Sequence, residues 1–138
     1  MMIFQQLDEY LNKEFSADFW SDCAVISAID LVQKMTPTDW DSLKSCWRDR
    51  PQEWQYRCAE IISDADSQQV IPILLEMLQT PDDELTITAA DSLRSIGVAE
   101  QNVYLEQDIL KRLQILSENS SIAKIIVNEL LKQLPVRV

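Results

Sequence analysis

Residues 70–97 read VIPILLEMLQTPDDELTITAADSLRSIG: an apolar helix, an acidic turn, and a second amphipathic helix closed by the only glycine of the 138-residue chain. From Ile71 to Leu78 only Pro72 and Glu76 interrupt the apolar run, so the first helix belongs between neighbours rather than at a surface. Pro72 fits a first turn, where a proline forfeits no helical hydrogen bond. Pro81, Asp82, Asp83 and Glu84 then supply a stop, capping oxygens and negative charge for the next N-terminus. In the second helix Leu85, Ala89, Leu93 and Ile96 make one apolar stripe, which leaves Thr86, Asp91, Arg94 and Ser95 for the polar face. Gly97 has the position of a left-handed C-terminal cap.

A weaker copy of this unit lies 31 residues upstream. The shift lays Trp40 on Ile71, Leu43 on Leu74, Trp47 on Leu78 and Trp54 on Leu85, and it lays 58–62 (CAEII) on 89–93 (AADSL). A further shift of 30 brings 28–32 (AIDLV) into frame, and 127–131 (VNELL) fits at an offset of 38. Self-similarity at this period is the mark of a stacked helical repeat. The expected fold is therefore all-α, a right-handed stack of antiparallel helix pairs forming a solenoid of about eight helices. Helices are predicted near 2–14, 20–35, 38–48, 52–64, 68–79, 84–96, 105–117 and 121–134, within one domain over residues 1–138. Short turns, one glycine and no low-complexity tract argue against a linker. Asp8 and Glu9 come early, with no basic start and no long apolar run, so neither a secretory signal nor a membrane span is expected and the cytoplasm is the expected location.

The composition argues against an enzyme. There is no histidine, which removes the commonest metal ligand, general base and triad partner together. One glycine cannot build a glycine-rich phosphate or dinucleotide loop, and no nucleophile elbow is present. Cys23, Cys46 and Cys58 are odd in number and widely spaced, and they read as small buried hydrophobes rather than redox or metal groups. No cofactor, metal or catalytic residue is expected.

Charge carries more information. The net value is −11, divided as ten acids and six bases over residues 1–57, eight acids and no base over 58–93, and five acids and six bases over 94–138. Such a field disfavours nucleic acid and anionic membranes as partners and favours a basic protein. Asp30, Glu60 and Asp91 hold the same slot in successive repeats, so stacking predicts an acidic ladder at the ~10 Å spacing of packed helices. Asp64, Asp66, Asp82, Asp83 and Glu84 extend it at helix ends, where capping is the competing explanation. Among the aromatics, Trp40, Trp47 and Trp54 align with repeat core positions, whereas Phe19 and Trp20, beside Asp18 and Asp22, are better placed as interface anchors. Candidate partner-binding residues are thus Asp18, Phe19, Trp20, Asp22, Glu60, Asp64, Asp66, Asp82, Asp83, Glu84 and Asp91.

The 71–97 segment resembles a HEAT repeat, with its apolar first helix, Asp-Pro type turn and alanine-rich second helix. It departs from that pattern where an arginine commonly follows the turn, having Thr86, and Gln55 in the upstream copy. A second resemblance rests on Trp40, Trp47, Arg50, Trp54, Gln55 and Arg57, within WDSLKSCWRDRPQEWQYRCAEIISDAD. This stretch is similar to small acidic helical immunity proteins of bacterial contact-dependent inhibition and polymorphic toxin systems. The resemblance implies a cytoplasmic antidote that binds one cognate toxin domain, often a cationic nuclease, and blocks its active site. A HEAT-type scaffold or adaptor for a cellular protein or peptide is the alternative, and a weak homodimer through the terminal helices is compatible with either.

Overall fold

Four helix starts fall where the sequence supplies a side-chain oxygen to cap them. In the computed structural model, which describes residues 2–99 and 101–135, Ser16, Thr36, Asp82 and Ser120 all accept hydrogen bonds from backbone N–H groups of the following turn. The elements are α1 (Ile3–Leu11), α2 (Ala17–Phe19) leading through a π-helical turn (Trp20–Ala24) into α3 (Val25–Gln33), α4 (Pro37–Cys46) and α5 (Gln52–Ile61). They continue with α6 (Ser67–Met77), α7 (Asp83–Ile96), α8 (Gln107–Leu116) and α9 (Ser121–Gln133). Single 3₁₀ turns, Trp47–Asp49 and Ile62–Asp64, extend α4 and α5. No strand occurs among the described residues, and no helix among them is long and apolar enough to cross a membrane.

The 31-residue period is visible in the elements themselves. α4 and α6 end that distance apart, at Cys46 and Met77, and α5 and α7 begin that distance apart, at Gln52 and Asp83. Burial follows the same register: Trp40 and Ile71, Leu43 and Leu74, Trp47 and Leu78, Trp54 and Leu85, Cys58 and Ala89, and Ile62 and Leu93 are all buried. The tryptophans of the first copy are thus core. Their size takes the place of the aliphatic residues in the second.

Two compact units divide the chain, Met1–Val70 and Ile71–Val138. In the first, α1 lies against α3, α4 and α5 and buries Phe4, Leu7 and Leu11. Arg50 and Asp39 fasten α1, and Gln55 braces the turn that carries Arg50. Arg50 grips Asp8 through two parallel bonds of 2.8 and 2.9 Å, and Gln55 Nε2 donates to the carbonyls of Trp47, Arg48 and Arg50. Asp39, only 2 % exposed, accepts at 2.9 Å from the N–H of Phe4 and from both the N–H and the hydroxyl of Thr36. Burial pushes its carboxyl pKa up, but these three bonds outweigh that effect and hold it below the ordinary carboxylate value.

In the second unit α9 packs on α7 and α8 through Ala123, Ile126, Val127 and Leu130. Arg112 on α8 donates to the carbonyls of Thr80 and Leu78 and to Asp83 Oδ1, securing the acidic turn. Gln133 ties the last turn of α7 to the first residues after it, accepting from Val98 N–H at 2.8 Å and donating to the Arg94 carbonyl at 3.1 Å. Gly97 ends α7 at φ +79°, a value that a side chain would strain, with its N–H on the Leu93 carbonyl.

Four expectations change. Pro72, expected in a first turn, is the sixth residue of α6 and lies inside the helix, which begins earlier, at Ser67. Thr86 is fully buried rather than on a polar face, because its hydroxyl lies 3.0 Å from the Asp82 carbonyl and closes the turn from within. Cys23 is exposed and Cys46 only half-buried, so Cys58 alone is a fully buried small hydrophobe. The helix predicted over 20–35 begins with a π turn, in which Val25 N–H reaches back to the Trp20 carbonyl.

Candidate protein-interaction surface

Arg57 organises the surface of the Met1–Val70 unit. It is 6 % exposed, and its Nη1 donates to the carbonyls of Leu11 at 3.1 Å and Lys13 at 2.7 Å, which fixes the chain as it leaves α1. The guanidinium lies 5.2 Å from the ring centres of both Phe15 and Trp20. Phe15 in turn touches Tyr10 and stacks with Phe19, at centroid distances of 5.3 and 5.8 Å. Tyr10 donates its hydroxyl to the Ala24 carbonyl inside the π turn. The result is a rigid aromatic bed with a cation at its base.

Of the two adjacent aromatics, Trp20 is buried and Phe19 presented. Trp20, Ala24, Ala28 and Val32, spaced by four, form one buried line, and Trp20 Nε1 donates to Glu60 Oε2 at 2.8 Å. Trp20 is therefore corrected from interface anchor to core residue. Phe19 remains 51 % exposed, flanked in sequence by the exposed carboxylates of Asp18 and Asp22, with Ile26 exposed one turn and more beyond. Neither Asp18 nor Asp22 has an ion-pair partner among the described residues. Phe19 and the two unpaired carboxylates sit on a segment held by the Trp20–Glu60 bond and by the Arg57 cluster.

The other predicted acids divide by local role. Asp66 caps α6, accepting from Gln68 N–H, and Asp82 caps α7, accepting from Glu84 and Leu85 N–H. Asp83 pairs with Arg112 and Asp91 with Arg94. Of the three equivalent acids, Asp30 pairs with Lys34, Glu60 takes the Trp20 indole and Asp91 takes Arg94, so each carboxylate is engaged within its own unit. Asp64 is exposed and contributes its backbone carbonyl to Gln33 at the end of α3. Glu84 is exposed in the first turn of α7. The structure thus joins Glu60 to the Asp18–Asp22 segment through Trp20 and gives Asp66, Asp82, Asp83 and Asp91 work in their own turns.

Phe15, Ile26 and Arg57 enter this surface without having been candidates. The signal for Phe15 was its spacing of four from Phe19, and for Arg57 its position three after Trp54 on an otherwise apolar face. The residues singled out in the 40–57 stretch have structural work. Trp40, Trp47 and Trp54 are core, Arg50 clamps Asp8, Gln55 closes the 3₁₀ turn and Arg57 holds the aromatic bed.

A cavity of about 450 Å³ opens beside Arg57, lined by Leu11, Lys13, Phe15, Glu53 and Trp54 among others. Glu53 Oε1 stands 3.7 Å from Arg57 Nε, beyond hydrogen-bond reach. Its two basic residues face two acidic ones, Glu14 and Glu53, and the arrangement contains no paired nucleophile and base. Burial pushes the thiols of Cys46 and Cys58 up, away from the thiolate that reactivity would need. The chain matches no protein-family model, no curated protein and no solved structure.

Proposed function

We propose that this chain is an antidote-type binding protein that occludes a basic toxin domain, of the cationic nuclease kind, through the acidic surface around Phe19. The observation that carries this reading is Phe19 itself: half-exposed, between two carboxylates that have no internal cation, on a segment pinned by the Trp20–Glu60 bond and the Arg57 cluster. A nuclease must offer positive charge to phosphate, and a rigid acidic surface competes for it with little ordering on binding. The stretch of eight acids without a base over 58–93 adds a long-range field that steers such a partner. The repeat of helix ends and burial at 31 residues supports a short HEAT-like stack as the scaffold.

The test is co-purification of a tagged copy expressed with the protein encoded immediately upstream, together with a growth assay. The reading expects a one-to-one complex that weakens with salt and rescues growth. Asp18→Lys with Asp22→Lys should slow association about tenfold or more and leave helicity unchanged, since neither side chain serves a cap or an ion pair. Retention of a different protein, insensitive to those reversals, would favour the adaptor reading instead.

A further inference from the structure

We infer that the cavity beside Arg57 is a binding site for a small monocarboxylate with an apolar body, whose oxygens the Arg57 Nε–H takes up. The guanidinium is buried yet incompletely served. Its Nη1 donates to the carbonyls of Leu11 and Lys13, which are neutral, and its Nε–H has no hydrogen-bond partner among the described residues. The carboxylate paired with it, Glu53, stands 3.7 Å from Nε and belongs to the cavity wall, so Nε faces that wall. Buried charges are ordinarily hydrogen-bonded to an opposite charge, and buried donors are ordinarily bonded to an acceptor. Both needs are met by an anion that enters here. Trp54, 1 % exposed, also lines the cavity, and its indole N–H has no partner among the described residues either.

The walls choose the ligand. Leu11, Phe15, Pro51 and Trp54 supply apolar surface, and the volume of about 450 Å³ is that of a small-molecule site, in which apolar walls hold the body of a ligand and a few polar groups fix its orientation. Glu14 and Glu53 on the same lining repel a second negative charge, which favours a monocarboxylate over phosphate. Glu53, with a side chain 69 % exposed, can swing into solvent as the ligand carboxylate moves to Nε, so that one anion replaces another at hydrogen-bond distance. The site lies between the end of α1 and the α5 helix and does not rest on the acidic-surface reading.

Titration of the isotope-labelled full chain with phenylacetate, followed by NMR at the Arg57 Nε–H, tests it. The expected result is a saturable shift of that signal with a Kd on the order of 1 mM, the strength open to so small a ligand. Phenylacetamide has the ring without the charge, acetate the charge without the ring, and inorganic phosphate a second charge; each should bind about tenfold more weakly or worse. Glu53→Gln should tighten phenylacetate about fivefold, the effect of removing a like charge ~4 Å away in water, with circular dichroism unchanged. An Arg57 signal that phenylacetate leaves unmoved, or a Glu53→Gln chain that binds no more tightly, would overturn the proposal. So would equal binding of the amide, which would take the charge out of recognition, or of acetate or phosphate, which would take the walls out of it.

Discussion

Replacing Asp39 by alanine should cost the Met1–Val70 unit about 3 kcal/mol at neutral pH. The carboxylate receives three bonds of 2.9 Å, from Phe4 N–H, Thr36 N–H and the Thr36 hydroxyl. Losing the reciprocal cap at the start of α4 costs about 1 kcal/mol, and stranding the buried Phe4 N–H costs about 1–3 kcal/mol more. All four tryptophans, at positions 20, 40, 47 and 54, lie in this unit, so their emission during urea unfolding reports on it directly. With a slope of about 1.5 kcal/mol/M, the midpoint should fall by about 2 M. The pH dependence follows from the depressed pKa. The group is protonated less readily in the folded chain, so its contribution is present above the unfolded pKa of about 3.9 and is lost as pH falls through the lower folded value. The gap between wild type and Asp39→Ala should thus be widest near neutrality and narrow steadily below pH ~4. An unchanged midpoint at neutral pH, or a gap that persists undiminished in acid, would refute the reasoning.

Arg57→Met should destabilise the same unit by about 3–4 kcal/mol, because the carbonyls of Leu11 and Lys13 lose their donor, and Arg57→Lys should recover only part of it; urea unfolding followed by tryptophan emission measures both. Gly97→Ala should cost about 1 kcal/mol from backbone strain alone, since no atom lies within 4 Å of where the new Cβ would sit; a larger loss of thermal stability would contradict that. A maleimide reagent should label Cys23 rapidly in the folded protein and Cys58 only after unfolding, as intact mass before and after denaturant would report.

The helices were legible because their starts and stops carry chemistry. Thr36-Pro37, Pro81-Asp82 and Ser120 announce N-termini, and Gly97 closes α7, so the predicted segments coincide with the observed ones to within a few residues. The π turn at Trp20–Ala24 was not legible, since a periodicity of 3.6 gives no hint of one wider turn. The acids were ambiguous for a different reason. Capping, local ion pairing and partner recognition all recruit Asp and Glu, and only coordinates separate Asp82, which caps, from Asp18 and Asp22, which pair with nothing in the described chain. Thr86 was misread because its hydroxyl can be satisfied by backbone carbonyls inside the fold as well as by water.

The association rate of the protein encoded immediately upstream with this chain, compared between wild type and the Asp18→Lys, Asp22→Lys pair by biolayer interferometry at low and high salt, tests the central claim most directly. The account predicts fast, salt-sensitive binding by the wild type and a reversed variant that is folded but associates about tenfold more slowly or worse. Binding that is absent, or equal for the two forms at every salt concentration, would contradict it.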